Sequence, residues 1–191
     1  MAVAYAKSEK DVPPGAWVLG VLDDADQAGD LGWHTEDNGV YYGRIFVRPV
    51  LENGGNALTA PLSVASVGSH EALEIFVDPT CNRWAETGNS DIEVALEVCD
   101  PVESSYYTVP VDSTKVTVSN FVYESWFDSQ AKGKLDYNDE CHSPFTMAKG
   151  GYIVLKKRGK VSQQFAEHYP EWRREIKKSE LARTARRLSV S

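Results

Sequence analysis

Hydrophobic and polar positions alternate along most of this chain with the period of a β-strand. Asp91 to Cys99 is the clearest run: Ile92, Val94, Leu96 and Val98 fall on one face, Glu93, Ala95, Glu97 and Cys99 on the other. Such alternation buries one face and leaves the other wet, the habit of an antiparallel sheet. Trp17 to Leu22 reads as a short strand buried on both faces. Val40 to Leu51 reads as a long strand, with Arg44 and Arg48 on a common face and Pro49 marking an edge or bulge. Leu62 to Val67 and Ala72 to Val77, parted by Gly68-Ser69, predict a hairpin. So do Tyr106 to Val111 with Lys115 to Tyr123, and Phe145 to Met147 with Tyr152 to Leu155. About eight short strands at intervals of roughly 8–15 residues predict an all-β fold, an antiparallel β-sandwich or barrel, and exclude a doubly wound α/β fold.

The period changes after Gly159. Phe165, Tyr169, Trp172 and Ile176 recur at helical spacing and form one stripe. Pro170 is tolerated in a first helical turn, so the spacing predicts an amphipathic basic helix from about Pro170 to Ala185. The chain therefore divides into a leader or linker at 1–14, closed by Pro13-Pro14-Gly15, a β domain at 15–159 and a basic C-terminal arm at 160–191.

Charge sharpens this division. Residues 152–191 hold eleven Lys and Arg against four acids, a net +7, while the whole chain is −8, so residues 1–151 carry −15. An acidic body thus ends in a basic arm. Burying the four stripe side chains is worth about 1.5–3 kcal/mol each, which favours an arm docked on its own body or on a second copy of the chain. Arg173, Arg174, Lys177, Lys178, Arg183, Arg186 and Arg187 are the candidate contacts to that acidic surface or to a polyanion such as nucleic acid. Arg186-Arg187-Leu188-Ser189 also has the pattern of a basophilic kinase site.

Candidate chemistry is sparse. Asp24, Asp26 and Asp30 crowd one loop, and Gly29 is sixth counting from Asp24, as a calcium loop asks. The twelfth position is Thr35 rather than Glu, so a solvated acidic turn is the better reading. Asp136, Asp139 and His142, with His34 as a further member, offer the atoms of a catalytic metal site without a paired motif. His70 follows Ser69, but no G-x-S-x-G elbow is present, and neighbours in a strand point to opposite faces. No phosphate loop occurs, and no cofactor is expected. Cys81, Cys99 and Cys141 have neither disulfide nor zinc spacing, and Cys99 reads as a small core residue. No run of about 18 apolar residues and no signal-peptide core are found. Virion or cytoplasm is the expected location.

The Pro-Pro-Gly hinge, the short strands, the long polar loops at 23–39, 78–90 and 128–144, the few cysteines and the charged tail together resemble, in layout, the protruding surface domain of a small non-enveloped RNA-virus capsid protein. That resemblance implies a non-enzymatic module for subunit assembly as a homo-oligomer and for host-surface contact through those loops. Two alternatives stand beside it: a metal-dependent hydrolase on a β-barrel, using Asp136, Asp139 and His142, and a polyanion-binding protein using the arm.

Overall fold

In the computed structural model, residues 3–26, 30–171, 173 and 174 are described. Most regular structure among them is strand: nine strands in three sheets, with two α-helices. β1 (Val18–Leu22), β2 (Gly32–Asp37) and β3 (Val40–Phe46) form the first sheet in the order β1-β3-β2. β2 runs antiparallel to β3, but β1 runs parallel to it, so this sheet is mixed rather than antiparallel throughout. β1 is an edge, and Trp17, Leu19, Val21 and Leu22 are exposed rather than buried on both faces. The long strand expected through Leu51 stops at Phe46 and becomes α1 (Val47–Glu52). Pro49 sits within the first turn of α1, where its missing N–H leaves no hydrogen bond unmade.

The largest departure from the sequence pattern is α2 (Val64–Val77), which replaces the hairpin expected over Leu62–Val77. A reciprocal cap sets its start: the Ser63 hydroxyl accepts from the Ser66 N–H, and the Ser66 hydroxyl accepts from the Ser63 N–H. Asp78-Pro79 ends it, since a residue before proline avoids helical geometry. Gly68 is therefore not a turn residue. A methyl there would stand 3.0 Å from Ile45 Cδ1, so the glycine lets α2 lie close on β3.

The second sheet is antiparallel, in the order β4 (Trp84–Glu86), β5 (Ile92–Ala95), β8 (Tyr152–Lys157), β9 (Lys160–Phe165). β6 (Tyr106–Val111) and β7 (Thr114–Ser119) form a separate hairpin. Phe145 to Met147 forms no strand. The β8–β9 hairpin turns instead at Arg158 and Gly159, both at positive φ as a tight two-residue turn demands. Residues 160–165 thus belong to the sheet. α2 packs against β2 and β3 on one side and β7 on the other.

Two apolar clusters flank that helix. The larger holds fully buried Trp126 with Val94, Val98, Val102, Val122, Leu135 and Ile153, and Leu73 and Val77 of α2 pack on it. The smaller joins Ile45, Val50 and Val67. Beyond β9 the chain packs back on the sheet. Tyr169 is buried, edge-on to Tyr152 and tilted against Phe165, and Arg174 N–H donates to the Pro170 carbonyl. Trp172, Ile176 and the remainder of the predicted helix from 175 onward lie outside the described residues. Among the described residues no helix is long and apolar enough to cross a membrane.

Candidate metal centre

α2 carries the centre. Helical geometry places His70 and Glu74, four residues apart, on one face, and sets Glu71 and Glu74, three apart, side by side. All three are buried. β2 supplies buried His34 from the neighbouring sheet. β5 ends at Ala95, four residues short of the expected strand end, because the chain turns into a 3-10 helical turn at Asp100–Val102. That turn buries Asp100 and directs Glu97 inward instead of leaving it on a wet strand face. The loop after α2 adds Cys81, held at positive φ.

The side chains form a continuous polar chain. His70 Nε2 lies 3.2 Å from Glu74 Oε1 and 3.3 Å from Asp100 Oδ1. The Cys99 N–H donates to Glu74 Oε1 at 3.2 Å. The other Glu74 oxygen is 3.7 Å from His34 Nδ1, which meets Glu71 Oε2 at 3.1 Å. His34 Nε2 faces the Asp78 carbonyl at 3.3 Å and Glu97 Oε2 at 3.7 Å. The Cys81 thiol donates to the His34 carbonyl at 3.3 Å. The Asp78 carboxylate is engaged elsewhere, accepting from the Arg83 N–H and the Thr80 hydroxyl.

Charge dominates the behaviour of this cluster. Burial alone would lower the pKa of His34, but the Glu97 carboxylate and hydrogen bonds with Cys81 and Glu71 outweigh it and hold His34 well above its usual range. His70 is likewise raised: burial opposes its charge, and Glu74, Cys99 and Asp100 more than compensate. Burial, reinforced by the charge of Glu74, pushes Glu97 well above the ordinary carboxylate range. Burial raises the Cys81 thiol to about 11 and the Cys99 thiol further. Four carboxylates, Glu71, Glu74, Glu97 and Asp100, thus face two imidazoles in a site that holds protons tightly. Concentrating carboxylates away from water is costly unless protons or a cation compensate them.

Three sets of ligand atoms lie within 4.8 Å of one another: His70, Glu74 and Cys99; His34, Glu71 and Glu74; His34, Cys81 and Glu97. Asp100 is outside these sets but approaches the first, its Oδ1 lying 3.3 Å from His70 Nε2. A tetrahedral zinc ion with bonds of about 2.0–2.1 Å holds its ligands roughly 3.3 Å apart, which matches the spacing of His70 Nε2 from its two carboxylate oxygens.

The residues singled out from sequence lie elsewhere. Asp136 is fully buried and structural. One oxygen accepts from Asn120 Nδ2 and the Asn138 N–H, the other from the Glu140 and Cys141 N–H groups. Asp139 and His142 are exposed, and the structure brings neither into a ligand set. Asp24 pairs with Arg48, which lies in α1 rather than on the strand face expected for it, and Asp26 pairs with Arg44 of β3; Asp30 is buried. Arg173 is buried against Glu103 at 3.2 Å, and Arg174 lies over the Phe165 ring and near Glu171. Lys177, Lys178, Arg183, Arg186 and Arg187 fall outside the described residues. Of the metal candidates read from sequence only His34 enters the centre, and His70, set aside as a strand neighbour of Ser69, enters it from α2. Reading residues 62–77 as a hairpin concealed His70, Glu71 and Glu74, whose spacing has meaning only on a helix.

The fold and the centre define a mostly-β protein with a buried histidine–carboxylate–thiol cluster built on one helix. Compared with known proteins, the chain matches no family model, no curated protein and no solved structure.

Proposed function

We propose that the chain is a metal-dependent hydrolase acting on acyl bonds, with His70, Glu74 and Asp100 holding a divalent ion of the zinc class. The observation that carries this reading is the His70-Glu71-x-x-Glu74 spacing on α2, closed by Asp100 at 3.3 Å from the His70 nitrogen. On a helix, a ligand pair at i and i+4 with a carboxylate at i+1 sets a base beside a metal. Here Glu74 stands where a second histidine is usual in such helices. Catalytic zinc sites keep three protein ligands and one open position. The Cys99 thiol, within 4.8 Å of the His70 and Glu74 ligand atoms, is fully buried and hydrogen-bonded with Ser119.

When bound, the ion would polarise a substrate carbonyl and acidify a water molecule. Glu71 would serve as the base, taking a proton from the attacking water at its carboxylate and returning it to the leaving group as the acyl bond breaks. His34, 3.1 Å from Glu71, fixes the orientation of that carboxylate. The test is hydrolysis of an activated ester and of fluorescent casein by protein stripped of metal and reloaded with Zn²⁺. Turnover should require the ion and fall about 10²–10⁴-fold in Glu71→Gln with the ion retained. His70→Ala and Glu74→Ala should lose the ion, while Asp139→Ala and His142→Ala should change neither property. Full activity in Glu71→Gln, or loss of activity in His142→Ala, would contradict the assignment.

A second reading, subunit assembly, draws on the apolar rim of the first sheet. Trp17, Leu19, Val21, Leu22 and Phe76 are exposed together at the β1 edge, which pairs on one side only among the described residues. A dimer in light scattering that Val21→Lys converts to a monomer supports it; a monomeric parent protein removes it.

A further inference from the structure

We infer a second cation site, containing sulfur, formed by His34, Cys81 and Glu97. It is distinct from the His70–Glu74–Asp100 site and does not depend on the hydrolase reading. Three elements supply it: β2, the loop after α2 and the segment between β5 and the 3-10 turn. Their ligand atoms lie within 4.8 Å of one another. Glu97 Oε2 is shielded from solvent, has no hydrogen-bond partner among the described residues and is aimed at His34 Nε2 at 3.7 Å. Cys81 adopts positive φ, a strained backbone for a side chain other than Gly, Asn or Asp. That conformation brings its sulfur to the edge of β2, within 3.3 Å of the His34 carbonyl.

The donor set selects the ion. One imidazole, one thiolate and one carboxylate suit zinc or cobalt and disfavour magnesium or calcium, which take oxygen ligands. The His34 ring is already arranged for such a ligand. Its Nδ1 contacts the Glu71 carboxylate, the carboxylate–histidine arrangement that fixes ring orientation, and its Nε2 faces Glu97 Oε2 at 3.7 Å and the Asp78 carbonyl at 3.3 Å, a contact that a bound ion would replace. Glu71 then links the two sites, as base at one and as orienting partner at the other.

Cobalt(II) titration of the metal-stripped full chain tests this directly, because a thiolate ligand gives a near-ultraviolet sulfur-to-cobalt charge-transfer band. The wild-type protein should take up two equivalents, one of them accompanied by the band. Cys81→Ser should lose the band and one equivalent while keeping the other. Cys99→Ser and Cys141→Ser should keep the band, and so should His70→Ala, which removes only the neighbouring site. Glu97→Gln, which retains size and fold, should weaken the band-forming equivalent at least tenfold. Uptake of a single equivalent without the band overturns the proposal, as does a band that survives Cys81→Ser or vanishes in Cys99→Ser. A band in a protein without hydrolytic activity upholds this site and rejects the proposed reaction instead.

Discussion

At the scale of single residues, burial decides what each group can do. Arg173 and Glu103 are both nearly closed to solvent at 3.2 Å. Removing one partner of such a pair leaves a buried charge, so Glu103→Ala should destabilise the protein by about 3 kcal/mol, measured by urea denaturation. A change below about 0.5 kcal/mol would mean that the arm detaches in solution. Burial also governs the thiols. Cys81 and Cys141 are pushed up to about 11 and about 12. Both should therefore react with a disulfide reagent at neutral pH far more slowly than free cysteine, and rapid labelling of the native protein would contradict their environment.

Several of these residues were visible before any fold was known, but their roles were not. Asp136, with Asp139 and His142, offered the atoms of a metal site without a paired motif. Its two oxygens instead each accept two hydrogen bonds that close the turn at 136–141. Asp24 and Asp26 read as a solvated acidic turn, and each has a counter-charge, Arg48 and Arg44. Sequence records that charges are present, whereas the partner that neutralises each depends on which strands pair.

Among the elements, α2 carries the most. Val64, Val67, Ile75 and Val77 favour strands by composition, and Gly68-Ser69 mimics a turn. What overrides them is the Ser63 cap and packing on β2, β3 and β7. Ser63→Ala should cost about 1 kcal/mol, seen as a lowered urea midpoint. The meeting of α2 with β2 is tighter still: a methyl added at Gly32 would stand 2.9 Å from Val67 Cγ1 and 3.0 Å from Glu71 Oε1. Gly32→Ala should therefore displace Glu71 and lower turnover at least tenfold while the ion stays bound. Unchanged turnover in a folded Gly32→Ala protein would place the base elsewhere. The strand-rich character, the β6–β7 hairpin and the start of β5 were legible from alternation alone. The mixed first sheet was not, because the parallel β1–β3 pairing leaves no local signature.

For the molecule as a whole, an acidic body encloses a centre that binds protons more tightly when folded. His34, His70, Glu97 and Asp78 are all raised on folding. For the histidines, the associated stability is complete below their unfolded value of about 6.5 and fades as pH rises through the raised folded value. For the two acids it is complete below about 4 and fades in the same direction, since the folded state again holds the proton longer. The metal-free protein should thus lose thermal stability between about pH 6 and pH 8, and a saturating divalent ion should abolish or reverse the trend by taking the place of protons. Metal-free protein that gains stability over that interval would contradict the charge state described for the centre.

In the proposed site, α2 and the Asp100 turn hold a divalent ion through His70, Glu74 and Asp100. Calorimetric titration of Zn²⁺ into metal-stripped protein tests it most directly, comparing the wild type with His70→Ala and Glu74→Ala. A tight equivalent in the wild type, weakened at least a hundredfold in both variants and unchanged in His142→Ala, is the predicted result. Equal binding by all four proteins, or no binding by the wild type, would contradict it.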